Sequence, residues 1–86
     1  MPLCHDGFRT MHIVPMHLLY PGETGSILEI EGETQLVRRL DEMGLRTGVQ
    51  VRMVQPGHPC IVAFDHQRLS FRGEDDAVVL VEVARP

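Results

Sequence analysis

The chain has 86 residues, 43% of them hydrophobic and 23% charged, which fits one ordinary globular domain and excludes a chain disordered throughout. Twelve acidic residues against eight basic ones leave a net charge of −4, the reverse of what phosphate-neutralising DNA- or RNA-binding proteins need. All the basic residues are arginine, so neither a P-loop lysine nor a Schiff-base lysine is available.

Residues 1–11 show no periodicity and read as a mobile N-terminal tail, leaving 12–86 as the single domain. The apolar run His12–Met16 contains Pro15, which cannot donate to a ladder, so an edge strand or a crossing segment is expected. Tyr20-Pro21-Gly22-Glu23 reads as a turn, and Thr24–Glu31 as a strand bent near Gly25. Over Thr34–Met43, Leu36, Leu40 and Met43 recur at helical spacing with Val37 widening the stripe. Thr34 is the expected N-cap and Gly44 the left-handed residue that ends the helix. Arg38 and Glu42 are spaced for an i, i+4 pair, whereas Asp41 and Glu42 sit at the negative end of the helix dipole.

After Gly48 the period changes to two. Strands are expected over Val49–Val54, Cys60–Phe64, Arg68–Arg72 and Ala77–Val83, with turns at 56–59, 65–67 and 73–76. With Thr24–Glu31 these make five short strands, the pattern of a small barrel with one short helix between its first and second strands. The expected core is Ile27, Leu36, Leu40, Met43, Leu45, Val49, Val51, Met53, Ile61, Leu69, Phe71, Val79, Val81 and Val83.

Chemistry is sparse. Cys4-His5 and His58-Pro59-Cys60 offer a thiol beside an imidazole, but no residue is placed to orient the base and no glycine-rich nest to hold an oxyanion. A barrel this small also lacks room for a deep pocket of about 300 Å3 or more, so no enzymatic activity is expected. His58 and Cys60, two residues apart on one strand face, would supply two of the four ligands of a closed Zn2+ or Fe2+ site. The competing reading makes Cys60 a core residue and His58 an exposed turn residue, leaving at most a divalent transition metal at a surface site. The glycines do not run from a strand into a helix as a phosphate loop requires. If Val49, Val51 and Met53 face inward, Val54 faces out, and Leu80 and Val78 face out beside the inward valines of the last strand. Either the helix or the N-terminal segment covers these side chains, or a protein partner or a second copy of the chain in a homodimer does. With no Trp, one Tyr and three Phe, the aromatic shelf that reads proline-rich peptides is missing. No stretch of about 20 apolar residues or signal-peptide h-region appears, so a cytoplasmic location with reduced thiols is expected, without membrane insertion.

The stretch Leu36-Val37-Arg38-Arg39-Leu40-Asp41-Glu42-Met43-Gly44-Leu45-Arg46-Thr47-Gly48 resembles the signature of the FeoA family. Pro15-Met16 with Leu18 and Leu19, Pro21-Gly22-Glu23, Gly57-His58-Pro59, Leu69-Ser70-Phe71-Arg72 and Asp76-Ala77 match in order, so the resemblance covers Ile13 to Val83. Thr47 and His58 depart from residues frequent in the family, and the acidic balance departs from its usual basic one. The resemblance implies an SH3-like barrel and a non-enzymatic cytoplasmic partner of FeoB, the ferrous iron transporter with a GTP-binding domain. Arg38, Arg39 and Arg46, flanking the helix C-terminus, would then meet carboxylates of that partner, with Val54 and Leu80 as apolar contacts. An alternative is a metal-binding or metal-sensing module similar to the SH3-like C-terminal domain of iron-dependent repressors.

Overall fold

The structure is a computed structural model and describes residues 10–72 and 77–86. The strands are β1 (Thr10–Pro15), β2 (Thr24–Gly32), β3 (Gln50–Gln55), β4 (Cys60–Phe64), β5 (Gln67–Phe71) and β6 (Ala77–Arg85). A single 3-10 turn, Met16–Leu18, follows β1, and the helix α1 (Thr34–Glu42) joins β2 to β3. The strands form one antiparallel sheet in the order β1-β6-β2-β3-β4-β5.

The sheet thus has a sixth strand beyond the five expected. β1 pairs with β6 from Thr10↔Arg85 to Pro15↔Leu80 and occupies the sheet edge, where a terminal proline costs no interior hydrogen bond. Of the expected tail, residues 1–9 lie outside the described residues, while Thr10 and Met11 open β1. The connection 73–76 also lies outside them.

Strands β6 and β5 are four spacings apart in the sheet, about 19 Å if it were flat. Their inward side chains nonetheless belong to one continuous cluster with those of β2, β3 and β4, so the sheet curls around a single core. In β6, Ala77, Val79, Val81 and Val83 are buried and alternate with outward residues, as its pattern requires. Beside this wall Gly25 runs so close to β6 that a Cβ there would lie 2.9 Å from Val81 Cγ2. The irregularity of β2 falls three residues later than expected, between Ile27 and Glu29.

One strand faces the opposite way from its expected orientation. In β4 the buried set is Cys60, Val62 and Phe64, and Ile61 is half-buried. Met53 points inward and pairs with Val62, and cross-strand partners share a face, so β3 decides the facing of β4. Leu36, Met43, Val49 and Leu69 are likewise half-buried, packed against the core, and Met16 and Leu19 plug it from the segment after β1.

The helix starts without a side-chain cap. Glu33, not Thr34, is the N-cap residue and its side chain makes no capping bond. Its end is well formed: Gly44 at φ +99° donates to the Asp41 carbonyl, Leu45 donates to the Leu40 carbonyl, and buried Leu40 and Leu45 join the core. This is a Schellman C-cap with its apolar contact.

Candidate functional site

A fold in β2 creates the principal concavity. β2 pairs with β3 only over Thr24–Ser26, and Ile27 then exchanges backbone hydrogen bonds with Val49 and Gly48. Past the bulge, β2 continues from Glu29 to Gly32 with β6 alone. Its other edge is therefore open and faces α1 and the loop after it. Between them lies an open cleft of about 670 Å3, with Ile30, Val37 and Leu45 supplying apolar lining. Glu31, Arg38, Asp41, Arg46 and Thr47 supply polar lining. That volume falls within the usual range of binding pockets. The expectation of no deep pocket concerned the barrel interior, which side chains fill; this cleft is an open one outside it, where the helix stands off the sheet edge.

Two of the expected partner-binding arginines meet here, in different electrostatic states. Arg46 Nη2 donates to the Asp41 carbonyl at 3.1 Å, and its Nε lies 3.3 Å from Asp41 Oδ1. Its positive charge thus sits at the helix C-terminus, offsetting the negative end of the dipole and the Asp41 carboxylate beside it. Arg38 makes no hydrogen bond or ion pair among the described residues, and the expected pair with Glu42 does not form. Its guanidinium is available to an incoming carboxylate or phosphate. Gln67 Nε2 donates to the Met43 carbonyl at 2.7 Å, tying β5 to the helix end and steadying the cleft wall.

The other candidates are dispersed. Arg39 is exposed on a different flank of α1, beside a shallow depression lined by Glu33, Gln35 and Leu36. Leu80 is half-buried on the outward side of β6 opposite Glu29, and Val54 is half-buried at the β3 bulge.

His58 and Cys60 also part company. His58 lies in the turn before β4, so strand alternation does not reach it, and it is exposed. Cys60 is fully buried opposite Phe71, and burial pushes its thiol pKa up, away from the thiolate a metal needs. The ring nearest His58 belongs to His17, with centroids 6.4 Å apart. No group of three or more His, Cys, Asp or Glu placed to hold a metal occurs among the described residues. No helix there is long and apolar enough to cross a membrane.

Sequence reasoning missed Ile30 and Thr47 as cleft residues, because the gap arises from where β2 leaves β3. The bulge has no residue signature.

Comparison with known proteins places the fold. The model of the FeoA domain family matches residues 14–83. A crystal structure described as "Iron Uptake Regulatory Protein (FeoA)" superposes with a TM-score of 0.70 at 22% identity, covering 84% of this chain and 100% of that one. The solution structure of an iron(II) transport protein A from Clostridium thermocellum gives a TM-score of 0.73 at 24% identity, covering 81% of this chain and 45% of that one. A search of curated proteins finds no match.

Proposed function

The chain belongs to the FeoA family, and we propose that it is a cytoplasmic, non-enzymatic accessory protein of ferrous iron uptake that docks on the cytoplasmic domain of a FeoB-type transporter. The names of its structural neighbours support the iron context. The observation that carries the docking reading is the cleft, lined by half-buried Val37 and Ile30 together with Arg38, which has no partner among the described residues. An apolar floor with one available guanidinium suits a polypeptide segment that buries an aliphatic side chain and presents a carboxylate. A module that prefers one state of its partner shifts that partner's equilibrium by the difference in affinity, without chemistry of its own and without a resident metal.

Capture of the purified FeoB cytoplasmic domain by the immobilised protein tests this. Arg38→Glu is expected to weaken binding by about tenfold or more, while the circular dichroism spectrum stays unchanged. Full retention of binding by both Arg38→Glu and Val37→Asp would discard the cleft as the docking site. Saturable ferrous binding by calorimetry, lost in His58→Ala, would favour a metal carrier instead.

A further inference from the structure

We propose that His17 and His58 form a two-ligand site on the surface of the domain that takes Zn2+ exchangeably and, when filled, clamps the segment after β1 to the turn between β3 and β4. The two residues are far apart in the chain, and no motif links them. Their rings are nonetheless neighbours, with centroids 6.4 Å apart and planes tilted by 47° rather than stacked.

Core side chains fix where each ring starts. His17 is the middle residue of the single 3-10 turn Met16–Leu18, which Leu19 closes by donating to the Met16 carbonyl at 3.2 Å. Met16 and Leu19 are both buried, so the turn is seated from either end. His58 stands two residues before fully buried Cys60, the first residue of β4. The chain that follows His17 is also laced to the strand that precedes His58. Gly22 donates its N–H to the Met53 carbonyl at 2.8 Å, and Met53 donates to the Glu23 carbonyl at 2.9 Å. The backbone thus brings the imidazoles together before any ion arrives, and little ordering is left for binding to cost.

Neither imidazole is occupied by the fold. Among the described residues His17 and His58 make no hydrogen bond and no ion pair, and His58 is exposed. Rings bound to one tetrahedral ion through nitrogens at about 2.0–2.1 Å have centroids about 5 Å apart, so a shift of about 1 Å at the His58 ring closes the chelate. Imidazole suits Zn2+, which ranks above Fe2+ at such sites. Two protein ligands are fewer than the three or four of permanent zinc centres, which leaves the other positions to water and makes the ion exchangeable. The pair shares no residue with the cleft.

Calorimetry with Zn2+ on the full chain tests the proposal, in a Cys4→Ser, His5→Ala background that removes the N-terminal thiol and imidazole. One ion per chain is expected to bind saturably. His17→Gln and His58→Gln should each weaken binding by about tenfold or more, while His12→Gln with His66→Gln leaves it within about twofold. The metal-free variants should keep the parent circular dichroism spectrum, so that lost binding reports a lost ligand. Zn2+ at about a hundredfold excess over its Kd should raise the parent Tm by about 5 °C or more, a rise absent from the His17 and His58 variants. Fe2+ should not saturate the chain at concentrations that fill the site with Zn2+. Absence of saturable zinc binding, full affinity in either single variant, one ion per two chains, or Fe2+ binding as tight as Zn2+ would overturn the proposal. No readout depends on Arg38 or Val37, so the zinc site can fail while the cleft reading stands.

Discussion

Glu23 shows how one side chain ties distant parts of the chain. Its carboxylate accepts from Arg85 Nε and Nη2, each at 2.8 Å, and from the Tyr20 backbone N–H at 2.9 Å. The Arg85 guanidinium in turn stacks 4.1 Å from the Tyr20 ring centroid. The turn entering β2 is thereby fastened to the last residue of β6. The Arg85 hydrogen bonds hold the Glu23 carboxyl pKa below its ordinary value of 4.5. A depressed carboxylate stabilises the fold fully above its unfolded pKa, and that contribution is lost as pH falls through the folded value. Glu23→Gln should therefore lower Tm most near neutrality, with the difference from wild type shrinking as pH drops below 4.5. A difference independent of pH between 2 and 7 would show that the ion pair does not set it.

At the scale of elements, the β4–β5 hairpin turns in two residues, Asp65 at φ 48° and His66 at φ 62°, between paired Phe64 and Gln67. Both angles are left-handed, as in the type I′ turn whose twist matches the strands and whose second position favours glycine. His66→Gly should stabilise the domain by about 1 kcal/mol, seen as a higher urea midpoint at unchanged slope. Loss of stability would mean that the imidazole contributes more than its backbone conformation costs. The helix teaches a related lesson. Its end was legible, because Gly44 after Leu36, Leu40 and Met43 predicts a left-handed stop. Its charge pairing was not, since Asp41 pairs with Arg46 beyond the cap, where a straight-helix spacing rule does not apply.

For the whole molecule, Cys60 is a built-in reporter. The thiol is fully buried within the core that five strands share, so a reagent reaches it only when that core opens. In a Cys4→Ser background, alkylation should run about a thousandfold or more slower than for an unfolded control, and accelerate with urea along the global transition. Rapid labelling without denaturant would place the thiol in a locally opening segment instead.

The sequence alone determined the local order: alternating valines in β6, the amphipathic stripe of α1, the glycine that ends it, and a family signature spread over most of the domain. Each is a property of neighbours in the chain, written by φ/ψ preference or by the period with which apolar residues recur. Tertiary structure decided what depends on register. It turned Val62 inward in place of Ile61, brought Glu23 to Arg85, and opened the cleft where β2 parts from β3. Pairing across a sheet joins residues far apart in sequence, and a shift of one position exchanges the faces of a strand.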